Sequence, residues 1–386
     1  MTVAFKSFIR TLAVSSSLLR ANNTATLGRL TLVLGNESAD LDSIVSSISL
    51  AYALSQTTSH PVIPIINADR QDMVLRPECS LLLENTVSDQ SILTFIDDID
   101  LTHLTKSLDV WLVDHNAPAS RQQFLEPFVC GIVDHHIDEG KCLGAERQIE
   151  TVASCATLVA ERLKSLGEVD PDLAKLLIAP ILVDSSNLNP AACRATPADI
   201  ACVQWLSSLV NWKSEQSLAS NTLDVNGPDA LYSTLDSLKG QVSHLSSYDL
   251  LRKDYKQWQV TDATGKPWTI GISSISFPLK KWIKRDTLQD IEQAIRHWID
   301  KQQLDLAIVM THGKTKVNGT KVYGRQMIVA SDKDIGRVVD KLMTVDILGL
   351  VPFDISGGVW LFTQSRSESS RKQVFPAIKD VIQHLY

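Results

Sequence analysis

The chain has 386 residues, of which 44% are hydrophobic, and a chain of this length is typical of two folded domains. It carries 37 Lys and Arg against 44 Asp and Glu, and this net charge of −7 argues against nonspecific nucleic-acid binding. We therefore predict no nucleic-acid partner. No apolar run approaches the roughly 20 residues that cross a membrane, so we predict no membrane partner either.

The first 29 residues are rich in Ser and Thr, carry four basic residues and contain no acidic residue. This composition is typical of a mitochondrial transit peptide. It equally fits an amphipathic helix that packs on the first domain through Phe5, Phe8, Ile9 and Leu12, and we favour that interpretation. We therefore predict a cytoplasmic protein, with the mitochondrial matrix as the alternative. The six cysteines form no CxxC pair, which indicates free, buried thiols in a reducing compartment.

Four short apolar runs are each followed by polar residues that can bind a metal ion. The runs are residues 32–34, 110–113, 131–133 and 181–183. Short apolar runs bounded by turn residues predict buried strands. Helical patterns at residues 43–54, 154–166 and 174–177 alternate with them, the last leading into the fourth strand. This alternation predicts an α/β fold with a doubly wound parallel sheet.

The polar residues after the runs would gather at one place. They are Asn36, Asp40 and Asp42, then Asp114 and His115, then Asp134, His135 and His136, and finally Asp184. Carboxyl ends of parallel strands share one edge of a sheet, where open α/β sheets bind ligands. Crowded carboxylates repel one another unless a cation lies between them. Oxygen and imidazole ligands suit Mn, Mg, Co or Zn, and this set is too large for one ion with open positions.

The pattern therefore predicts a two-metal site for the hydrolysis of phosphoesters or phosphoanhydrides. Each cluster alone has a simpler interpretation, because an Asp after a strand is often a helix N-cap or a turn residue. Asp40 and Asp42 in particular could cap the helix that begins near Ser43. The repetition over four runs favours the metal site.

A Ser-rich stretch at residues 240–247 has the composition of a turn and predicts a domain boundary, with domains at 1–240 and 246–386. Beyond it, helices are predicted at 250–259, 288–298 and 372–385, and strands at 268–275, 306–310, 327–330 and 357–362. The second domain is thus predicted to be a smaller, mixed α/β domain of about 140 residues.

This second domain supplies cations for a polyanionic substrate. Arg forks and Lys point charges are the side chains that hold phosphate best. Ser370, Arg371 and Lys372 stand at the predicted start of the last helix, where backbone N–H groups add to them. Further candidates for a groove that holds a long chain are Lys280, Lys281, Lys284, Lys314, Lys316 and Lys321. Most surface Lys and Arg are merely solvated, which is the simpler interpretation of each one.

At Asp134, His135 and His136 the chain resembles the DHH phosphoesterase superfamily. Residues 36–42 match the His-x-x-x-Asp-x-Asp motif of family II inorganic pyrophosphatases, with Asn36 in place of His. That substitution looks like the fungal exopolyphosphatases and the prune-like proteins. Residues 114–116 resemble the second motif of the superfamily and Asp184 the fourth, while residues 150–157 resemble the segment between the third and fourth.

In the C-terminal part, residues 252–258 and 370–373 resemble the substrate-binding motifs of the DHHA2 domain. The Gly-Gly-Gly-His motif of the nuclease-type DHHA1 domain is absent from the sequence, and residues 356–359 are the nearest stretch. This absence disfavours a single-strand exonuclease or a dinucleotide hydrolase. The resemblance instead implies an active site in the cleft between a DHH domain and a DHHA2 domain.

The resemblance also implies roles for the matched residues. One metal ion would be held by Asp40 and Asp114 with Asn36 nearby, and the other by Asp42, Asp114, His135 and Asp184. Asp114 would therefore bridge two ions. His115 and His136 would face the phosphate or the leaving oxygen, and Asp134 would orient the histidine pair. Lys256, Ser370, Arg371 and Lys372 would bind phosphate oxygens from the DHHA2 side.

The activity implied is that of a metal-dependent exopolyphosphatase, which releases orthophosphate from the end of inorganic polyphosphate. The attacking hydroxide would lie between two divalent ions, Mg, Mn or Co. The alternatives are an inorganic pyrophosphatase and a hydrolase of short polyphosphates or nucleoside tetraphosphates. A non-catalytic, prune-like scaffold is a distant third, because all the matched carboxylates are present. We expect a small phosphoanhydride as substrate and a monomeric protein.

Overall fold

The structure is a computed structural model that describes residues 4–87, 89–104, 108–212, 223, 225–317, 319–356 and 359–385. The side chains of residues 24, 25, 316, 317 and 354–356 are outside this description. The chain divides into two compact units, Met1–Lys239 and Gly240–Tyr386. Within the described ranges, no helix combines the length and the apolar character needed to cross a membrane.

The first unit is built on a six-stranded parallel sheet. Its strands are β1 (Leu30–Leu34), β2 (Val62–Ile66), β3 (Thr94–Phe95), β4 (Leu108–Val113), β5 (Val129–Asp134) and β6 (Glu146–Ile149). Their order is β3-β2-β1-β4-β5-β6, so the chain reverses direction across the sheet between β1 and β4. Every residue of β1 and β2 is buried, as expected for parallel strands covered on both faces. The predicted doubly wound parallel sheet is confirmed.

Helices flank this sheet. They are α1 (Phe5–Arg20), α2 (Thr24–Leu27), α3 (Leu41–Ser55), α4 (Pro77–Thr86), α5 (Cys155–Leu166), α6 (Pro171–Asp184), α7 (Pro197–Leu209) and α8 (Pro228–Lys239). Asp40 caps α3 by accepting a hydrogen bond from the Ser43 N–H at 3.1 Å, and Ser154 caps α5. The helices predicted at 43–54 and 154–166 are confirmed. Short 3-10 helices lie at Arg70–Leu75, Gln90–Ile92, Ile96–Asp98, Leu101–His103, Ser120–Phe128 and Pro190–Ala192.

The predicted fourth strand is wrong, because residues 181–183 form the last turn of α6. This helix begins after its N-cap Asp170, and the helical pattern predicted at 174–177 belongs to the same element. Nearly every side chain from Leu173 to Val183 is buried, so the helix has no polar face that would reveal its period. A short, fully apolar run cannot be distinguished from a buried strand by periodicity. Asp184 therefore stands at the end of a helix.

The N-terminal segment is an amphipathic helix packed on the first unit, as favoured from the sequence. Phe5, Phe8 and Leu12 of α1 are buried in the core. The rings of Phe5 and Phe8 lie edge-on to Tyr52 of α3, with centroids 5.4 and 5.6 Å away. At the end of α1, Arg20 donates a hydrogen bond to the backbone carbonyl of residue 93 at 2.9 Å. This helix is thus part of the fold.

Gly131 of β5 lies directly beside Trp111 of β4. A Cβ atom on Gly131 would come within 2.3 Å of the indole ring of Trp111. We expect Gly131→Ala to lower the free energy of unfolding by about 2–3 kcal/mol, because the strand must shift to relieve the overlap. Urea denaturation measures this loss. Gly144→Ala is the control, since its Cβ would meet no atom within 4 Å; an equal loss in both variants would contradict the prediction.

The second unit contains a six-stranded mixed sheet. Its strands are β7 (Tyr255–Thr261), β8 (Pro267–Ile275), β9 (Leu306–Val317), β10 (Thr320–Ala330), β11 (Leu350–Ser356) and β12 (Val359–Gln364). The order is β11-β12-β10-β9-β8-β7, and only β8 and β9 pair in parallel among these strands. The helices are α9 (Ser247–Lys253), α10 (Leu279–Arg285), α11 (Leu288–Gln302), α12 (Gly336–Met343) and α13 (Arg371–Gln383). The predicted mixed α/β domain is confirmed.

Two predictions in this unit need correction or restriction. The helix predicted at 250–259 is wrong in its second half, because α9 ends at Lys253 and β7 starts at Tyr255. Tyr255, Trp258 and Val260 favour a strand by their aromatic and β-branched side chains. Of the strand predicted at 357–362, residues 357 and 358 lie outside the described residues, and the rest belongs to β12.

All six cysteines are free, as predicted from their spacing. Their predicted burial holds for Cys79, Cys155 and Cys202 only. Cys130 and Cys193 are exposed, because an apolar neighbour in sequence does not decide on which side of a strand or turn a thiol lies.

Candidate metal centre

The predicted metal ligands of the first unit follow the ends of β1, β4 and β5, except Asp184, which ends α6. Asp114 follows β4, and Asp134 is the last residue of β5. The backbone is left-handed at Asp114 (φ 63°) and at Ala39 (φ 43°), which precedes Asp40. Such a conformation costs a non-glycine residue about 1–3 kcal/mol and is concentrated at functional sites. The strain at both positions therefore supports a functional role for this edge of the sheet.

Asp42, Asp114 and His135 converge at this edge. The Nε2 atom of His135 lies 3.2 Å from Asp114 Oδ1 and 3.7 Å from Asp42 Oδ2. Asp114 Oδ1 is also 3.7 Å from His136 Nδ1. Potential ligand atoms of Asp114, His135 and His136 all lie within 4.8 Å of one another. Both carboxylates are only 2% exposed, so water screens their charges poorly.

Hydrogen bonds to the backbone orient the histidine rings. His135 Nδ1 lies 2.9 Å from the carbonyl oxygen of Val152, and a carbonyl can only accept, so Nδ1 carries the proton. His135 therefore presents Nε2 to Asp42 and Asp114. His115 has the same arrangement, with Nδ1 donating to the Val113 carbonyl at 3.0 Å. Histidine ligands of metals are commonly held in this way.

Asp134 holds the histidine pair in place. Its Oδ1 accepts hydrogen bonds from the backbone N–H groups of His135 (2.7 Å) and His136 (3.2 Å), and from His136 Nδ1 at 2.8 Å. Its Oδ2 accepts from Asn116 Nδ2 at 2.5 Å. Burial raises the pKa of Asp134, but the bonds from His136 and Asn116 outweigh burial and hold the pKa well below its usual range. Asp134 is thus an ionised anchor.

Asp42 is fixed by the N-terminus of α5. Its Oδ1 accepts hydrogen bonds from Ser46 Oγ at 3.0 Å, Ser154 Oγ at 2.8 Å and the Ala156 N–H at 3.0 Å. Its Oδ2 accepts from the Cys155 N–H at 2.7 Å. The positive end of the helix dipole favours a carboxylate at this position. Sequence reasoning missed these partners, because Ser154 is 112 residues away from Asp42 along the chain.

Asn36 holds the carboxylate of Asp114 in position through hydrogen bonds. Its Nδ2 donates to Asp114 Oδ2 at 2.5 Å and to the Asp114 carbonyl at 3.1 Å. Its Oδ1 accepts from the backbone N–H groups of Ser38 at 2.9 Å and Ala39 at 3.2 Å. The one atom of Asn36 that could bind a metal ion is therefore engaged with the loop, and these contacts position Asp114.

The remaining predicted carboxylates, Asp40 and Asp184, lie within electrostatic reach of this group. Burial and the like charges of Asp42 and Asp40 raise the pKa of Asp114 well above its usual value. Burial also raises the pKa of Asp184, to about 7. The positive charge of Lys239 lowers this pKa, and the negative charges of Asp42 and Asp40 raise it. A quarter of the Asp184 side chain is nevertheless exposed. Asp40 and Asp184 thus interact electrostatically with the carboxylates of Asp42 and Asp114.

This set of donors fits a divalent metal ion. Carboxylate oxygens and imidazole nitrogens are the ligands of Mg, Mn and Zn sites in proteins. Burial raises the pKa of Asp42, as it does that of Asp114; the attraction of His135 lowers the pKa of Asp42, and the repulsion of Asp40 raises it further. Such mutual repulsion is what a bound cation relieves.

The second unit carries the predicted phosphate-binding residues. Arg371, the first residue of α13, donates from Nη2 to Asp254 Oδ1 at 2.7 Å and from Nη1 to the Asp254 carbonyl at 3.2 Å. These bonds attach the start of α13 to the residue before β7, the strand that carries Lys256. Sequence reasoning missed Asp254 in this role, since it lies 117 residues before Arg371.

The other phosphate-binding candidates of this unit are a serine with local hydrogen bonds and a set of exposed lysines. Ser370 donates from its backbone N–H and its Oγ to Gln373 Oε1, at 3.0 and 2.7 Å. Lys372 is exposed. The further lysines of the predicted groove, Lys280, Lys281, Lys284, Lys314 and Lys321, are exposed as well, and the side chain of Lys316 lies outside the described residues.

Comparison with known proteins agrees with this architecture. Residues 31–181 match the N-terminal domain of the DHH family, and residues 233–381 match the DHHA2 domain. A candidate family II inorganic pyrophosphatase from Methanococcus jannaschii has a similar fold, with a TM-score of 0.60 at 20% identity. That alignment covers 91% of this chain and 99% of the archaeal one.

Relatives by sequence cover most of the chain. A candidate exopolyphosphatase from Schizosaccharomyces pombe is 30% identical over 397 residues, which is 96% of each protein. Exopolyphosphatase PRUNE1 from Bos taurus is 32% identical over 286 residues, 72% of this chain and 59% of the bovine protein. Human PRUNE1 is 33% identical over 266 residues, 67% of this chain and 55% of the human one. The chain thus spans little more than half the length of these two mammalian relatives. It belongs to the DHH phosphoesterase superfamily, in the group with a C-terminal DHHA2 domain that includes exopolyphosphatase and prune-like proteins.

Proposed function

We propose that this protein is a metal-dependent exopolyphosphatase that releases orthophosphate from the end of inorganic polyphosphate. The observation that supports it best is the convergence of Asp42, Asp114 and His135, with Asp40 and Asp184 within electrostatic reach. The similarity to proteins named exopolyphosphatase agrees with a phosphoanhydride as substrate. We also propose that the protein is monomeric and lies in the cytoplasm.

In this proposal the centre holds two divalent ions, Mg, Mn or Co. Asp40 and Asp114 would hold one ion, and Asp42, Asp114, His135 and Asp184 would hold the other, so Asp114 would contribute to both. Ions bound there activate water for attack on phosphorus and neutralise phosphate charge. Asn36 keeps the Asp114 carboxylate in position through the bond from Nδ2 to Oδ2. Asp42 keeps its orientation through the N-terminus of α5.

His115 and His136 are the proposed proton carriers at the leaving oxygen. His136 Nδ1 donates to Asp134, so its Nε2 is the nitrogen that gives or takes a proton. His115 Nδ1 donates to the Val113 carbonyl, which assigns the same role to its Nε2. The carboxylate of Asp134 stabilises the imidazolium form of His136, as the buried acid of a catalytic triad does for its histidine.

The phosphate oxygens would be bound by Lys256, Ser370, Arg371 and Lys372 of the second unit. A guanidinium is suited to two phosphate oxygens at once. Asp254 holds the Arg371 guanidinium by one of its edges, which fixes the plane of the fork. The exposed lysines from Lys280 to Lys321 would follow the rest of a long chain. The products are orthophosphate and a chain shortened by one unit.

Phosphate release from pyrophosphate, tripolyphosphate and long-chain polyphosphate, each with Mg²⁺ and with Mn²⁺, tests this proposal. We expect release from long chains and tripolyphosphate, and little from pyrophosphate. A preference for pyrophosphate would favour the pyrophosphatase instead, and a preference for tripolyphosphate or nucleoside tetraphosphates would favour the short-chain hydrolase. If no substrate released phosphate, the protein would be the non-catalytic, prune-like scaffold.

Asn36→His should shift the metal preference towards Mn²⁺, because imidazole suits borderline metals better than an amide does. We expect the Mn²⁺ affinity relative to Mg²⁺ to rise by about tenfold, the scale on which residues around a metal change its affinity. Titration of activity with each ion measures the ratio. Asn36→Ala, which loses the amide without adding an imidazole, should not raise it. An unchanged ratio in Asn36→His would show that position 36 is not close to an ion.

A further inference from the structure

The centre of the first unit is unbalanced in charge. Five carboxylates lie there, those of Asp40, Asp42, Asp114, Asp134 and Asp184. Among the described residues, their partners are mainly histidines and neutral N–H and O–H donors. Among the described residues, Lys239 is the one lysine or arginine that forms an ion pair with any of these five carboxylates. No local sequence pattern distinguishes this lysine from a surface lysine.

The fold places Lys239 beside the centre. It is the last residue of α8, a helix that packs against α6, and α6 ends at Asp184. Its Nζ lies 3.9 Å from Asp184 Oδ1, and about one third of its side chain is exposed. The segment after Asp184 is also attached to the start of α8, because Asn187 Nδ2 donates to Asp229 Oδ1 at 2.8 Å. Two contacts therefore hold α8 against the chain around Asp184.

We propose that Lys239 is a built-in counter-ion of the metal centre. Its ammonium balances the charge of Asp184 in the metal-free protein and opposes the binding of a divalent ion at the same carboxylate. This inference rests on the metal centre of the proposed function, but on no particular phosphoanhydride. Lys239 is a positioning and tuning residue in this scheme, and it need not touch the substrate.

Coulomb's law gives the direction of both effects. The ammonium of Lys239, 3.9 Å from the carboxylate of Asp184, stabilises its negative charge. Water screens this attraction only in part, because the carboxylate is partly buried. The same ammonium repels a divalent ion that binds this carboxylate. Neutralising Lys239 should therefore change two properties in opposite directions. The metal-free protein should become less stable, and it should bind the metal more tightly.

Calorimetric titration of metal-free protein with Mn²⁺ alone, without substrate, measures the affinity. Thermal unfolding in the presence of a chelator measures the stability of the metal-free form. We expect Lys239→Met to bind Mn²⁺ about tenfold more tightly, which corresponds to about 1.4 kcal/mol at 25 °C, and to unfold at a lower temperature. Lys239→Arg, which keeps the charge, should resemble the unmodified protein in both measurements.

Lys6→Met is the matched control. Lys6 also pairs with an aspartate of the first unit, Asp172, at 3.2 Å, but this pair lies outside the centre. We expect this variant to bind Mn²⁺ as the unmodified protein does. Lys239→Gln provides a second neutral variant should the Met side chain impair folding.

Weaker or unchanged Mn²⁺ binding in Lys239→Met and Lys239→Gln would overturn the counter-ion role, because a purely structural lysine lowers stability and metal affinity together. Tighter binding in Lys6→Met would overturn it as well, since the effect would then reflect net charge. An unmodified protein that binds no Mn²⁺ would instead overturn the metal centre. Tight Mn²⁺ binding without polyphosphate hydrolysis would overturn the proposed activity and leave the role of Lys239 intact.

Discussion

Asp114→Asn is expected to reduce phosphate release by about a thousandfold or more while the protein stays folded. The substitution removes the charge at the proposed bridging position and leaves the shape of the side chain unchanged. The oxygen of the new amide can still accept the bond from Asn36 Nδ2, so the loop after β1 keeps its attachment. The amide nitrogen would then face His135, where it can bind no metal. Phosphate release from tripolyphosphate and long chains measures the loss.

Asp109→Asn is the control for this prediction. Asp109 lies on β4, the strand that leads to Asp114, and it pairs with Arg29 at 2.8 Å outside the centre. We expect its turnover to be that of the unmodified protein. Circular dichroism and the unfolding temperature show whether each variant is folded. Near-normal turnover by a folded Asp114→Asn protein would remove the bridging assignment.

Arg371→Ala is expected to weaken substrate capture far more than metal binding. A charge-assisted hydrogen bond contributes about 1.5–3 kcal/mol, so KM for tripolyphosphate should rise by about tenfold or more. The affinity for Mn²⁺ should stay the same, because Arg371 is not one of the proposed metal ligands and its guanidinium is bound to Asp254. Steady-state kinetics and calorimetric Mn²⁺ titration give the two values.

Removing Arg371 also leaves Asp254 without its ion pair, so two controls are needed. Asp254→Asn keeps the guanidinium and should raise KM less than Arg371→Ala does. Arg366→Ala removes a comparable Arg–Asp pair of the same unit, with Asp346 at 2.9 Å, and should leave KM unchanged. Equal damage to substrate capture and to metal binding in Arg371→Ala would show that the residue supports structure.

The strands that lead to the centre could be predicted because each signal is local. A short apolar run that ends in Asp or His needs no information from elsewhere in the chain, and residues 32–34, 110–113 and 131–133 all lie in strands. The same rule failed at residues 181–183, where a helix is buried on every side. Asp184, at the end of α6, nevertheless lies within electrostatic reach of Asp42 and Asp40, and its role as a metal ligand stays a prediction.

The partners that hold the centre together could not be predicted. Ser154 and Cys155 reach Asp42, and Lys239 reaches Asp184, only through the packing of α5 and α8 against the sheet and α6. Nothing in the local sequence distinguishes these residues from an ordinary N-cap or an ordinary surface lysine. Tertiary contacts of this range are set by the fold as a whole.

The hydrogen bonds of Asp42 have a consequence for ion selectivity. Three donors saturate Oδ1, so only Oδ2 can coordinate an ion, and it must do so as a monodentate ligand. Calcium takes six to eight oxygens and can take both oxygens of a carboxylate, whereas magnesium demands a compact octahedron. If the centre holds a divalent ion as proposed, the helix that fixes Asp42 would disfavour the larger cation by geometry.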